Sequence, residues 1–137
     1  DHFFLTPAMR TAERLSETGG NFDYERFKEE IINGIISGSK FSYRVYNCSK
    51  MIFDSVIDVT PKKLNIIEGC YSMHPTLIEN YDLKIFLHTS SMEQSRRIFE
   101  RSGKDLYERF VSEWIPMENR YFKEMKIREK SDLVFET

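Results

Sequence analysis

The sequence predicts an α/β domain, a mostly parallel sheet covered by helices. Two short apolar runs, Leu64–Ile67 (LNII) and Leu83–Leu87 (LKIFL), read as core strands. Between and around them lie longer segments with apolar residues three and four apart, the helical period. Strands that alternate with helices imply parallel pairing with helices on the sheet faces, and ligands then collect beyond the carboxyl ends of the strands.

In chain order, Asp1–Pro7 (DHFFLTP) reads as an aromatic strand end that proline turns into a loop. Ala8–Ser16 carries helix formers and stops at Gly19-Gly20. Asp23–Ser37 reads as a helix: Tyr24, Phe27, Ile31 and Ile35 form a stripe that Ile32 and Ile36 widen, and Gly38 ends it. Phe41–Tyr46 alternates as a strand, with Phe41, Tyr43 and Val45 on one face. Met51–Thr60 follows as a second β segment, so residues 38–62 form a small β-excursion that Pro61 closes. Pro75–Asn80 is long enough only for a short helix. Ser90 or Ser91 caps a helix to about Arg101, with Gly103 as its stop. Asp105 to about Arg128 is helical, with Pro116 expected to kink or split it, and Leu133–Phe135 is a last strand.

At 137 residues the chain is the size of one domain, and residues 1–137 are expected to form a single unit. Twenty basic against 22 acidic residues give a net charge of −2, so no bulk basic field argues for nucleic acid. Cys48 and Cys70 have no metal-ligand spacing and read as free thiols in a reducing compartment. No apolar run has the length of a membrane span. A cytoplasmic protein is expected, with self-association left open.

Several residues can carry chemistry. Glu68 follows the Leu64–Ile67 run directly, at the strand end where a carboxylate can hold Mg²⁺, or it is a solvated or lysine-paired acid. Asp1 can accept a proton from a hydroxyl nucleophile, or it is an exposed terminal residue. Asp23 can grip sugar hydroxyls and can equally cap the helix after it. Arg97, Arg101 and Lys104, with Arg96 beside them, share a helical face suited to phosphate oxygens, or form a solvated face balanced by Glu93 and Glu100. Phe3, Phe4 and Tyr46 can stack on a flat base or simply pack. His2, His74 and His88 show no metal-ligand pattern, and His74 reads as a loop residue.

The order of these blocks carries a resemblance. DHFF, GGNFDYERF, YRVYNC, IIEGCYSMHP, YDLKIFL, the Arg96-Arg97 helix, WIPMENRYF and SDLVFE occur in one series. That series resembles the uridine kinase family of P-loop kinases, most of all its bacterial uridine kinase-like branch, along nearly the whole chain. The resemblance implies a P-loop NTPase-type fold and phosphoryl transfer from ATP, with Mg²⁺, to a nucleoside hydroxyl. Asp1 matches the general base toward that hydroxyl, Asp23 the ribose-binding carboxylate and Glu68 the acid near Mg²⁺. Arg97, Arg101 and Lys104 fall in a lid over residues 96–116, and Tyr46 lies near the base with Arg44 close by.

Some positions depart from the family. Asn47 stands where the family often has Asp, and Ser49-Lys50 occupy the region of a base-reading histidine. No G-x-x-x-x-G-K-[ST] occurs in the chain. The family places that loop, with its strand and helix, before Asp1, so the chain is expected to be the C-terminal portion of a longer kinase, inactive by itself. Pantothenate- or phosphoribulose-type kinases, and a non-catalytic nucleotide-binding domain, are the competing expectations.

Overall fold

The computed structural model describes residues 2–137, and the chain divides into two compact units, residues 1–80 and 81–137. The single domain expected from length is thus two units, each with its own small sheet and core. The fold is mixed α/β, with one antiparallel and one parallel two-stranded sheet, rather than one mostly parallel sheet.

In the first unit, a short helix α1 (Ala12–Ser16) begins at Thr11, whose side chain accepts from the Arg14 amide. The next helix opens as α2 (Tyr24–Phe27), passes through a π-helical turn Lys28–Ile32 and closes as α3 (Asn33–Ser37). Asp23 caps it, and Gly38 stops it at φ 67°, a left-handed conformation glycine adopts without the Cβ penalty. The expected stripe is present in part: Ile31 and Ile32 are buried, whereas Ile36 faces out.

Strands β1 (Phe41–Asn47) and β2 (Ile52–Val59) form the predicted β-excursion as an antiparallel hairpin. Phe41, Tyr43 and Val45 turn to the more buried face, as alternation requires. The register runs Val45↔Ser55 and then Tyr46↔Phe53, which leaves Asp54 as an extra residue in β2. Next to this bulge Tyr46 is buried beside the half-buried Val45, so the in–out burial pattern of β1 ends there. Leu5, Ile32, Tyr46, Met73 and Leu77 are among the buried side chains of this unit.

Leu64–Ile67 differs from expectation. It pairs with no described strand, and Leu64 and Ile66 are 75% and 82% exposed. An apolar run becomes a strand only where a neighbour completes its backbone hydrogen bonds, and the described residues provide none here. A 3₁₀ turn, Ile78–Asn80, supplies the short helix expected before Tyr81.

In the second unit, β3 (Ile85–His88) pairs in parallel with β4 (Leu133–Glu136), Ile85 opposite Leu133 and Leu87 opposite Phe135. Asp132 fixes the start of this ladder, accepting from the Lys84 amide at 2.7 Å. Phe86 packs edge-on against Phe122, and Ile98, Tyr121 and Ile127 are buried. Helix α4 (Ser91–Arg109) starts on Ser90, whose hydroxyl accepts from the Glu93 amide. Gly103, at φ 73° and ψ 178°, breaks it where the sequence predicts a stop, and the chain resumes helical at once. A π-helical turn, Phe110–Trp114, leads into α5 (Ile115–Glu124), with Pro116 in its first turn. Pro116 therefore begins a helix, where its missing N–H costs least. The sharp break falls at Gly103.

Candidate functional site

Two of the predicted residues of the first unit, Asp23 and Arg44, meet at a third, Arg26, which is absent from the predicted site. Asp23 is buried. Its Oδ1 accepts from the Arg26 amide as a helix cap, and its Oδ2 pairs with Arg26 Nε at 2.9 Å. The same guanidinium donates from Nη1 to the Arg44 carbonyl at 2.9 Å and from Nη2 to the His2 carbonyl at 2.8 Å. It lies 4.2 Å from the Phe3 ring centroid and 5.0 Å from that of Phe53. One buried planar fork thus joins the N-terminal segment, the helix cap and β1. Arginine suits this role because its donors are fixed in one plane and its charge is permanent.

Arg44 is held from the other side by Glu30. The Arg44 amide donates to Oε2 at 2.9 Å, and its Nε donates to Oε1 at 2.6 Å. Its guanidinium covers the Phe53 ring at 4.7 Å. Tyr46 is buried, with Phe53 edge-on at 5.3 Å, and its hydroxyl donates to Met51 Sδ. Its face is packed, so it supports the hairpin. The Tyr46 amide also donates to the His2 carbonyl, and His2 Nδ1 lies 3.1 Å from the Tyr43 hydroxyl. The residue following Asp1 is therefore held by backbone and side chain alike. Asp1 itself lies outside the described residues. Phe3, offered as a base-stacking residue, is core, packed on Phe27 and Tyr43.

A second cluster lies along α1, α2 and the segment after Glu68. Arg14 donates to the Gly20 and Phe22 carbonyls, to the Tyr24 hydroxyl and, in bidentate fashion, to Glu25. Its guanidinium lies 4.0 Å over the Tyr24 ring, whose other partner is His74, stacked at 4.1 Å and 10°. Burial pushes the Glu25 carboxyl up, but the Arg14 hydrogen bond and charge outweigh it and hold the carboxyl below its ordinary value. Burial raises the Tyr24 phenol to about 12. Burial, and after it the Arg14 charge, lowers the His74 imidazole. His74 is thus a packed and oriented side chain, whose Nδ1 accepts from the Thr76 amide at 3.3 Å.

Glu68 is exposed and stands outside any strand, so the strand-end placement read from sequence is not what positions it. Gly69 follows with φ 153° and open space where a side chain would be. Among the described residues, no three His, Cys, Asp or Glu side chains converge as a metal cage.

In the second unit the predicted lid cations are all exposed. Arg97 Nε donates to Glu93 at 2.7 Å, and Arg96 bridges Glu93 and Glu100. The hydrogen bonds from Arg96 and then Arg97 pull the Glu93 carboxyl down to about 2. Among the described residues Arg101 reaches only Ser102 Oγ at 3.4 Å and the Phe110 ring at 5.6 Å, and Lys104 lies 4.0 Å from Glu108. No helix is long and apolar enough to cross a membrane among the described residues. A scan against protein-family models finds no match for this chain, and a search of curated proteins finds none.

Proposed function

We propose that this chain is the acceptor-binding and lid portion of a uridine kinase-like phosphotransferase, moving a phosphoryl group from ATP to a hydroxyl of a uridine- or cytidine-type nucleoside. The observation that carries the reading is the Arg26 fork. It ties the residue after Asp1 to Asp23 and to β1, three segments that the family resemblance assigns to the acceptor independently. Phosphoryl transfer needs little covalent chemistry from the protein and much positioning, which a buried, rigid fork supplies. In this reading Asp1 takes the proton of the attacking hydroxyl, Asp23 orients the sugar, and Arg44 shapes the base end on a hairpin that the packed Tyr46 supports. Arg97, Arg101 and Lys104 neutralise phosphate charge under the P-loop NTPase-type fold that the resemblance implies.

Arg26 and Arg44 are each paired with carboxylates, Asp23 and Glu30. That balance favours an uncharged acceptor over a phosphorylated or carboxylated one. Glu68 is exposed beside an open glycine and accepts no hydrogen bond among the described residues, so it suits Mg²⁺, which takes one or two carboxylates alongside phosphates and water. Bound there, the ion would offset charge on the phosphates.

The test is phosphoryl transfer by the full-length encoded protein, with ATP and Mg²⁺, to uridine, cytidine, pantothenate and ribulose 5-phosphate in parallel. Transfer to the nucleosides, lost about 10²–10⁴-fold in Asp1→Asn, is the expected result. Equal activity of Asp1→Asn removes the assigned base, and transfer to ribulose 5-phosphate alone removes the acceptor class.

A further inference from the structure

We propose that Arg26 is a positioning residue for catalysis, setting the distance between the segment that carries Asp1 and the acceptor-binding carboxylate of Asp23. This rests on the phosphotransferase reading above. Arg26 touches no substrate in this proposal and acts through the two groups it holds.

Three observations carry it. First, the guanidinium is only 6% exposed, yet it is spent on no single ion pair. Nε, Nη1 and Nη2 each reach a different chain segment, at 2.8 to 2.9 Å. Second, two of those partners are main-chain carbonyls, at His2 and Arg44, so the fork locates backbone. The Tyr46 amide donates to the same His2 carbonyl, fixing that peptide from two directions. Third, the fork is itself held in plane by Phe3 and Phe53, with Glu30 Oε2 3.7 Å from Nη1. A residue needed only to neutralise Asp23 would require none of this. Lysine could carry the charge but would reach one partner at a time from a flexible stem.

The consequence is kinetic. Losing two of the three tethers lets the residue-1 segment shift relative to the bound hydroxyl, and a misplacement of about 1 Å costs on the order of 100-fold in rate. Binding of the acceptor changes much less where a cation stays beside Asp23, as in Arg26→Lys.

The experiment uses the full-length encoded protein as wild type, Arg26→Lys and Arg26→Gln, with ATP, Mg²⁺ and uridine. Steady-state kcat and KM are measured beside uridine affinity by calorimetry and the melting temperature of each protein. The expected result is a folded Arg26→Lys with kcat down about 100-fold, uridine affinity within about threefold of wild type and an unchanged KM for ATP. Arg26→Gln, which keeps a planar donor group without charge, should fall at least as far in kcat. A purely structural role would instead lower the melting temperature and leave kcat of the folded fraction intact. Wild-type kcat in a folded Arg26→Lys overturns the inference alone. A wild type that transfers phosphate to no acceptor overturns the inference together with the functional reading. If Arg26→Gln does not fold, Arg26→Lys decides the matter.

Discussion

The side-chain amide of Asn47 donates to Oδ2 of Asp54 across 2.9 Å, while its Oδ1 accepts from the amides of Ser49 and Lys50. Asp54 is the extra residue of the β2 bulge, and Lys50 Nζ binds the same Oδ2 at 2.9 Å. Asn47 is thus both a turn former and the hairpin's lock. A carboxylate at position 47 could still accept from the two amides but would face Asp54 with like charge.

Asn47→Asp should accordingly raise the Asp54 pKa while leaving the turn closed. In the wild type, hydrogen bonds from Lys50 and then Asn47 hold Asp54 below its ordinary value. A depressed carboxyl contributes stability above its unfolded pKa and loses it as pH falls through the folded one. The variant should therefore titrate Asp54 at higher pH by NMR of the side-chain carboxyl carbon, with Ser49 and Lys50 amides still protected. An unmoved Asp54 titration would contradict the lock.

The His74 stack on Tyr24 makes the first unit sensitive to mild acid. Burial disfavours the charged imidazole and lowers its pKa, and Arg14 beyond Tyr24 adds to this. The unfolded chain binds a proton at about pH 6.5 that the folded chain takes up only at lower pH, so stability is full above that value and declines below it. Urea unfolding at pH 7.5 and 5.0 should show the loss in the wild type and a smaller one in His74→Phe. The variant keeps the ring but removes the Nδ1 acceptor of Thr76, which shifts stability equally at both pH values. Identical pH dependence in the two proteins would assign the effect elsewhere.

Gly34→Ala tests how closely the helix approaches β1. A Cβ at position 34 would fall 2.5 Å from Cγ and Cδ2 of the Phe41 ring. Alanine gains about 1 kcal/mol over glycine in helix propensity, whereas overpacking costs about 1–3 kcal/mol. The clash outweighs the gain, so denaturant titration should show net destabilisation of up to about 2 kcal/mol. A stabilised variant would mean that Phe41 swings aside freely.

Much of this architecture is legible in local pattern. The helix stripe ending at Gly38, the alternation of Phe41, Tyr43 and Val45 and the break at Gly103 all depend on residues close in sequence. What local pattern cannot supply is a partner distant in the chain. Leu64–Ile67 has strand composition, but a strand also needs a neighbour, and composition does not say whether one is present. His74 reads as a loop residue because Tyr24, on which it stacks, lies 50 positions away. Arg26 is different, because its signal was present: Asp23, Arg26 and Glu30 lie three and four apart on one helical face. That spacing is equally at home on an exposed helix face, and what buries Arg26 is the approach of β1 and the N-terminal segment.

Arg97 and Arg101, assigned to a lid in the proposed function, differ in availability, and that difference predicts their order of importance. Arg97 is already engaged by Glu93, itself held strongly in its charged form by Arg96 and Arg97. A phosphate would have to compete with that carboxylate for Arg97. Arg101 has no carboxylate partner among the described residues, and its cation rests 5.6 Å from the Phe110 ring. It sits two residues before Gly103, whose left-handed backbone breaks the helix and marks where its direction can change. An arginine fork binds phosphate best when it gives up no ion pair to do so. In the full-length protein Arg101→Ala should raise the KM for ATP about 10-fold or more, and Arg97→Ala less than about threefold, since each 1.4 kcal/mol of lost binding is tenfold. Glu93→Gln should reverse part of the inequality by releasing Arg97, lowering the KM for ATP of the Arg101→Ala protein. Steady-state kinetics at fixed uridine reads all three. A larger effect at Arg97 than at Arg101 would show that the Glu93 pair opens at no appreciable cost when nucleotide binds.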